Sequence, residues 1–203
     1  MKRGGWRVIT VALAASGCVA PGEAPVARPA PAAHAPSTAA AKFPTLRNPG
    51  FELEALRGAR CATGWNCTMH NNPNSFRFFA DVTDGRRSFC VEPVKKEPWA
   101  LVTQGSFEPS LRGARLRFSV ELRLSGVAGA GAGPWAQVRR TGAPLQTHQK
   151  LVKGSAPWES RSVEFDVPAN AETVEVGVML RGTGRACFDD ARLEVLQPAK
   201  NPV

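Results

Sequence analysis

Several residue types and patterns are scarce in this chain of 203 residues. It has no tyrosine and three histidines. No segment reaches the roughly 18 consecutive apolar residues of a membrane-spanning helix, and none shows convincing helical periodicity. The histidines, His34, His70 and His148, have no Ser, Cys or Asp partner in a telling motif. These absences argue against a helical or membrane-spanning fold, and we predict that the protein is not an enzyme and has no catalytic residues.

Positive charge is in excess, with 26 Lys and Arg against 17 Asp and Glu and a net charge of +9. Three of these cations, Lys2, Arg3 and Arg7, lie in the first 17 residues, which contain no acid. Elsewhere the cations form scattered pairs with no basic helix or RNA-binding motif: Arg86–Arg87, Lys95–Lys96, Arg139–Arg140 and Lys150 with Lys153. We therefore expect no nucleic-acid partner, but a salt-dependent attraction to anionic surfaces such as lipid headgroups or acidic glycans.

The N-terminal residues have the three-part layout of a secretory signal: a basic start, a short apolar stretch and small residues. They end in Ala15-Ser16-Gly17-Cys18, which resembles the lipobox of bacterial lipoproteins. The resemblance implies that residues 1–17 are removed and that Cys18 is lipidated, giving a membrane contact through a lipid anchor. Val19 in place of the Asp that favours inner-membrane retention implies the outer membrane. The alternative is an ordinary secretory signal, with Cys18 as a leftover thiol.

A second composition marks residues 18–42, which are mostly Ala, Pro and small polar residues. Such a segment has too few large apolar side chains to fold, and its prolines keep it extended. We predict a disordered tether here and a folded domain over residues 43–203.

The domain alternates polar and apolar residues in short runs separated by turn residues, which predicts an all-β sandwich or barrel. In the clearest run, 115–124, five apolar residues share one face, as in a half-buried strand: Leu116, Phe118, Val120, Leu122 and Leu124. Further strands are predicted at 48–53, 76–79, 88–91, 101–104, 135–139, 161–167, 173–180 and 186–196. The glycine-rich stretch 126–133 lacks the features of a phosphate loop, and we interpret it as a flexible spacer.

The order of motifs in this domain resembles a known family. The domain opens with Asn48-Pro49-Gly50-Phe51-Glu52, continues with Gly64-Trp65, and closes with Phe188-Asp189-Asp190-Ala191-Arg192-Leu193-Glu194. This combination resembles carbohydrate-binding modules of the family 4/9 type, in the galactose-binding-like jelly-roll group. The resemblance implies a two-sheet antiparallel jelly-roll sandwich over about residues 46–196, with Trp65 and Trp158 in its core.

The resemblance also implies a structural Ca²⁺ near the first and last strands. The matching residues are Glu52, Asp189 and Asp190, with a possible carbonyl oxygen from the turn at 85–88. Hard oxygen ligands in loose geometry suit Ca²⁺. The alternative is that one aspartate faces water while the other pairs with Arg192 or caps a turn.

Four cysteines remain in the domain, and an even number in an exported protein predicts disulfides. Of three possible connectivities we favour Cys61–Cys67, local to a turn, together with Cys90–Cys187, which would join two strands. A zinc site is the alternative, although the sequence has no CxxC pair.

Sugar binding requires aromatic rings for ring faces and polar groups for hydroxyls. The candidates are Trp99 and Trp135 as platforms, with Gln104, Gln137 and Arg139 on the same strands. The alternative for Trp99 is a hydrophobic cap, and the absence of tyrosine weakens the case.

Together these features predict a non-catalytic cell-envelope lipoprotein whose jelly-roll module binds a glycan or envelope polysaccharide. The alternative is a structural or protein-interaction domain that binds no sugar.

Overall fold

The computed structural model describes residues 45–53, 55, 57–83, 85–106 and 109–199. The predicted signal peptide 1–17, the predicted tether 18–42 and the lipidation site Cys18 lie outside these residues and stay predictions. Within the described ranges, no helix combines the length and apolarity needed to cross a membrane.

Strands make up nearly all the regular structure, which confirms the all-β prediction. A single 3-10 turn, Pro109–Leu111, is the one helical element in the described ranges. The strands are β1 Asn66–Met69, β2 Phe76–Thr83, β3 Arg86–Pro93, β4 Ala100–Ser106, β5 Arg115–Arg140, β6 Gln146–Gln149, β7 Val152–Asp166 and β8 Ala171–Gln197.

Two long strands run through both layers of the sandwich. Residues 115–125 of β5 and 186–197 of β8 pair with each other, with β7 beyond β5 and with β3 and β2 beyond β8. We call this layer sheet I. Residues 131–140 of β5 and 171–181 of β8 form the centre of sheet II, with β6 on one side and β4 and β1 on the other. All ladders are antiparallel, and the two layers form the predicted jelly-roll sandwich.

Between the two sheets, β5 and β8 bend together at their glycines. The prediction of a flexible spacer at 126–133 is wrong, because this stretch belongs to β5 and follows β8 through several register shifts. Gly131 has a φ of 118°, and a Cβ there would lie 2.6 Å from the Val152 carbonyl oxygen. A Cβ on Gly182, opposite in β8, would collide with the Ala128 carbonyl oxygen. The glycines permit close backbone packing rather than mobility.

The core lies between the sheets and follows the predicted alternation. The five apolar residues of the run 115–124 are all buried, at 4% exposure or less. At one end, Phe51 stacks on Trp65 and Phe89 with ring centroids 4.7 and 5.7 Å apart. Burial of such large side chains contributes roughly 1.5–3 kcal/mol each.

The opening segment differs from the prediction, because 48–53 forms a turn and not a strand. Asn48 and Phe51 have positive φ angles of 49° and 53°, and the Phe51 N–H donates to the Asn48 carbonyl oxygen at 3.1 Å. The Asn48 side chain accepts from the Leu53 N–H and donates to the Thr63 carbonyl oxygen. An asparagine that tolerates the left-handed region therefore holds the turn that inserts Phe51 into the core.

Both favoured disulfides are present. The short-loop disulfide joins Cys61 to Cys67, six residues apart. The cross-strand disulfide joins Cys90 of β3 to Cys187 of β8, which are direct partners in the ladder. Because all four sulfurs are bonded in pairs, they offer no thiolates for the alternative zinc site.

Candidate functional site

The outward surface of sheet II is the candidate site. Directly opposed residues point to the same side of a sheet, and the registers Leu101↔Met179 and Trp135↔Gly177↔Thr103 place their side chains away from the core. We call the following set the sheet II face: Trp99, Leu101, Thr103, Trp135, Gln137, Arg139, Glu175 and Met179.

An apolar cluster separate from the main core occupies the middle of this face. Leu101, Trp135 and Met179 are buried at 9%, 3% and 9% exposure, and the half-buried Trp99 and Leu151 pack against them. Because this cluster lies on the outer side of a sheet, it does not stabilise the sandwich interior. Because Leu101, Trp135 and Met179 are already covered by their neighbours, the half-buried Trp99 is the ring of this cluster that a ligand can contact.

Polar side chains border the cluster. The Thr103 hydroxyl donates to Glu175 Oε1 at 2.5 Å, and Gln137 Nε2 donates to the Thr147 hydroxyl at 3.4 Å. Arg139 lies two residues beyond Gln137 on β5 and is exposed. The face therefore combines a tryptophan surface with carboxylate, amide and guanidinium groups that can bond to hydroxyls.

The position of Trp99 is fixed by its neighbours in the adjacent loop. The His70 ring lies edge-on to Trp99 at 5.8 Å, and His70 Nδ1 is 3.1 Å from Glu97 Oε1. The Asn71 N–H donates to the same carboxylate at 2.8 Å. This backbone hydrogen bond, together with the one to His70, holds the pKa of Glu97 below its usual value despite partial desolvation.

The structure brings together four of the five predicted sugar-binding residues: Trp99, Trp135, Gln137 and Arg139 lie on the sheet II face. Gln104 does not join them. It alternates with Thr103 on β4, and its amide bonds to the backbone N–H and carbonyl of Arg47.

Trp135 has a different role from the predicted exposed platform. With 3% exposure it supports the face from beneath, and Trp99 is the tryptophan that solvent can reach. The indole Nε1 of Trp135 is buried and has no hydrogen-bond partner among the described residues.

Sequence reasoning missed Leu101, Met179, Thr103 and Glu175. Leu101 and Thr103 alternate in step with Trp99, so the period of β4 could have placed them on its face. Met179 and Glu175 were missed because Val174, Val176 and Val178 alternate regularly along β8 and indicate only which face points into the core.

The predicted calcium residues Glu52 and Asp189 both lie near Gly50, but among the described residues the carboxylates of Glu52, Asp189 and Asp190 do not form a group with ligand atoms within 4.8 Å of one another. A Cβ on Gly50 would be 3.7 Å from Glu52 Cγ and 3.8 Å from Asp189 Oδ1. Asp189 is buried at 5% exposure, whereas Glu52 is exposed.

Arginines already neutralise this group. Arg86 Nε donates to Asp189 Oδ2 at 2.7 Å, and Arg86 Nη2 lies 3.4 Å from Asp190 Oδ2. Arg87 Nε donates to the Phe51 carbonyl oxygen at 3.1 Å. A divalent cation would need the oxygens that these guanidinium groups hold, and like charges repel. The residues as arranged therefore do not fit Ca²⁺, and the partner of Asp189 is Arg86 and not Arg192.

Trp158 also differs from the core position that the resemblance implied. It lies half-buried against sheet I, where the guanidinium carbons of Arg86 and Arg123 are 4.2 and 5.1 Å from its ring centroid. Cation–π contacts of this kind contribute about 0.5–1 kcal/mol each at exposed sites.

Comparison with known proteins gives structural likeness without sequence matches. No family model matches the chain, and no curated protein does. One similar structure, a Bacteroides thetaiotaomicron protein assigned to sugar binding, has 12% identity and a TM-score of 0.53, covering 74% of this chain and 98% of that chain. A family 4 carbohydrate-binding module has 16% identity and a TM-score of 0.50, covering 74% and 99%.

A family 22 xylan-binding domain from Paenibacillus barcinonensis has 10% identity and a TM-score of 0.52, covering 70% of this chain and 91% of that chain. The chain also spans 20% of an enzymatically active tailspike domain of bacteriophage CBA120, at a TM-score of 0.48 that carries no argument about activity. At such identities the likeness establishes the fold alone: the described domain is a jelly-roll sandwich of the type found in carbohydrate-binding modules.

Proposed function

We propose that this protein is a non-catalytic glycan-binding protein whose ligand lies on the sheet II face. The observation that carries this proposal is the apolar cluster around Trp99, which lies outside the main core and is bordered by polar side chains. A pyranose ring has an apolar C–H face and a polar hydroxyl rim, and this surface offers a matching partner for each.

Trp99 provides the stacking surface in this arrangement. It rests on the buried cluster and is flanked by His70, so little side-chain freedom is lost when a sugar binds. Such preorganisation lowers the entropic cost of binding. Glu175 pairs with Gly105, six residues beyond Trp99 along the direction of β4, which is roughly 20 Å at about 3.3 Å per residue. Glu175, Gln137 and Arg139 therefore bond to hydroxyls of rings farther along the same glycan chain.

Two further observations support this function. Proteins with the same fold include one assigned to sugar binding and one that binds xylan. The two carboxylates near this face are already engaged, Glu175 by the Thr103 hydroxyl and Glu97 by His70 and the Asn71 N–H, whereas glycoside hydrolysis uses two carboxyl groups positioned on either side of the bond.

The test is a glycan array with a soluble form of the chain that begins at residue 19 and so lacks the lipidated Cys18, followed by titration of the best neutral ligand. Trp99→Ala is expected to weaken binding at least about tenfold, because a central aromatic anchor carries much of the binding energy. Trp158→Ala is the matched control, since it removes a half-buried tryptophan from sheet I. It is expected to leave the affinity within about twofold.

The absence of any ligand at high micromolar concentration would contradict the proposal and favour a structural or protein-interaction domain. Equal losses in both tryptophan variants would also contradict it, because the effect would not be specific to the sheet II face.

For the cellular address, we propose an exported lipoprotein of the bacterial cell envelope, anchored in the outer membrane through a lipid on Cys18. The two disulfides support export, because such bonds persist in oxidising compartments. Labelling of cells with radioactive fatty acid should mark the wild-type chain and not Cys18→Ala. Label that survives this substitution would exclude the anchor.

A further inference from the structure

Two adjoining cavities open on the sheet I side, where β5 and β8 bend from one sheet to the other. Their volumes are about 460 and 770 Å³, within the range of ligand sites. Both are lined by Ser125 and Arg185, so the two cavities meet at these residues and together form one depression in the surface. We call it the basic groove and define it by Lys95, Lys96, Arg123, Ser125, Ser155 and Arg185.

Positive charge dominates this groove. Lys95 and Lys96 are exposed, and no described acid forms an ion pair with them. Arg185 Nε donates to Glu92 at 2.6 Å, and Glu92 is shared with Arg77. Glu92 is the one acid that lines either cavity. Of the four lining cations, Arg185 is paired with Glu92 and Arg123 with Asp81, so the uncompensated charge of the groove comes from Lys95 and Lys96.

The cations are held in place by the fold. The Ser75 carbonyl oxygen accepts hydrogen bonds from the N–H groups of Val94 and Lys95 at 2.7 and 3.1 Å, which fixes the lysine loop. Arg123 bonds to Asp81 at 2.7 Å and lies over Trp158. Arg185 lies 5.4 Å from the centroid of Phe79. The two arginines are therefore preorganised and lose less entropy on binding an anion than mobile side chains lose, whereas the exposed lysine side chains are positioned only through their backbone.

Hydroxyl groups line the floor between these cations. Ser125, Ser155 and Thr183 are exposed there, and Ser155 accepts from the Gly126 N–H at 2.9 Å, which leaves its proton free to donate. The groove thus offers cations for anionic groups and hydroxyls for a polyhydroxylated ligand, at a place where a chain can lie along an open surface.

We propose that the basic groove is a second binding site, which takes a segment of an acidic polysaccharide through its carboxylate or sulfate groups. The site lies on sheet I, and a polymer bound there leaves the sheet II face free. Loss of one site therefore does not entail loss of the other.

The experiment titrates the soluble form beginning at residue 19 with polygalacturonate, dextran sulfate and neutral xylan, at two salt concentrations. Lys95→Ala/Lys96→Ala is expected to weaken binding of at least one acidic polymer about tenfold and to reduce its salt dependence. Arg57→Ala/Lys150→Ala is the matched control, because it removes two exposed cations that do not line the groove. It should stay within about twofold of wild type.

The two acidic polymers distinguish carboxylate from sulfate as the preferred group, and a loss for either supports the site. Unchanged acidic-polymer binding in the groove variant would overturn the proposal, as would an equal loss in the control variant. Vesicles containing phosphatidylglycerol form a further arm, and a loss confined to vesicle binding would overturn the polysaccharide in favour of a lipid surface.

Trp99→Ala separates this site from the proposed glycan face. It should leave acidic-polymer binding unchanged, so failure of the neutral-glycan proposal and failure of the groove proposal give different results. Melting temperatures of all variants, measured in parallel, show that each is folded.

Discussion

Replacement of Arg86 by methionine tests whether this arginine is the built-in cation for the acids at the end of the domain. The Arg86→Met side chain fills similar space but leaves the Asp189 carboxylate, with 7% side-chain exposure, without its partner. Breaking a buried pair costs about 3–5 kcal/mol. Because Arg86 itself is 31% exposed, we expect a loss of about 2–3 kcal/mol in the free energy of unfolding.

Urea unfolding of wild type, Arg86→Met, Asp189→Asn and the double variant gives the interaction free energy directly. The double variant should lose less stability than the two single variants together, by more than about 1 kcal/mol. Asp190→Asn is the control, because this carboxylate is 53% exposed and should contribute less than about 1 kcal/mol. A loss below about 0.5 kcal/mol in Arg86→Met would refute the reasoning.

Calcium provides a second measurement on the same residues. With the guanidinium in place, neither millimolar Ca²⁺ nor EDTA should move the melting temperature of the wild-type domain. A rise in the melting temperature with Ca²⁺ that EDTA reverses would show that the metal displaces the arginines from the carboxylates.

Three further predictions concern the rest of the domain. The double variant Cys90→Ala/Cys187→Ala should be less stable than wild type by roughly 4.7 kcal/mol in urea unfolding, and removal of the short-loop disulfide should cost roughly 2, since the closed loops span 97 and 6 residues. Burial raises the pKa of Glu92, but hydrogen bonds from its two arginines outweigh this and leave the pKa lowered. Its stabilising contribution is therefore present above about pH 4.3 and lost as the pH falls through its folded pKa, and Glu92→Gln should flatten that decline in urea midpoint. Gly133→Ala should lower the melting temperature strongly because its Cβ would collide with the Lys150 carbonyl oxygen, whereas Gly105→Ala, in open space, should not.

The sequence pattern predicted what depends on local periodicity. The alternation in 115–124 placed five core residues correctly, and Trp99, Trp135, Gln137 and Arg139 share a face because their strands pair in register. Local pattern does not report burial on the outer side of a sheet, so Trp135 was expected to be exposed. Its environment depends on Met179, which is distant in sequence.

Long-range pairing also explains the other differences. In the sequence alone, the glycines at 126–133 resemble a flexible spacer. In the fold they lie opposite β8, and their lack of a Cβ permits the two backbones to approach closely. Arg86 is the first residue of β3, directly after a turn, and its partner Asp189 lies 103 residues away. The motif at the end of the domain suggested a metal because Asp189 and Asp190 are adjacent in the sequence, whereas Arg86, the cation that pairs with them, is distant in the sequence.

The shared strands β5 and β8 bear on how the chain folds. Neither sheet can be completed alone, because each has halves of the same two strands at its centre. Their ladder runs from Arg115 with Gln197 to Arg140 with Ala171, so the chain must close large loops before these pairs form. Folding dominated by such distant pairings is slow, typically milliseconds to seconds. Unfolding should therefore be a single all-or-none transition, with both sheets losing amide protection from hydrogen exchange together.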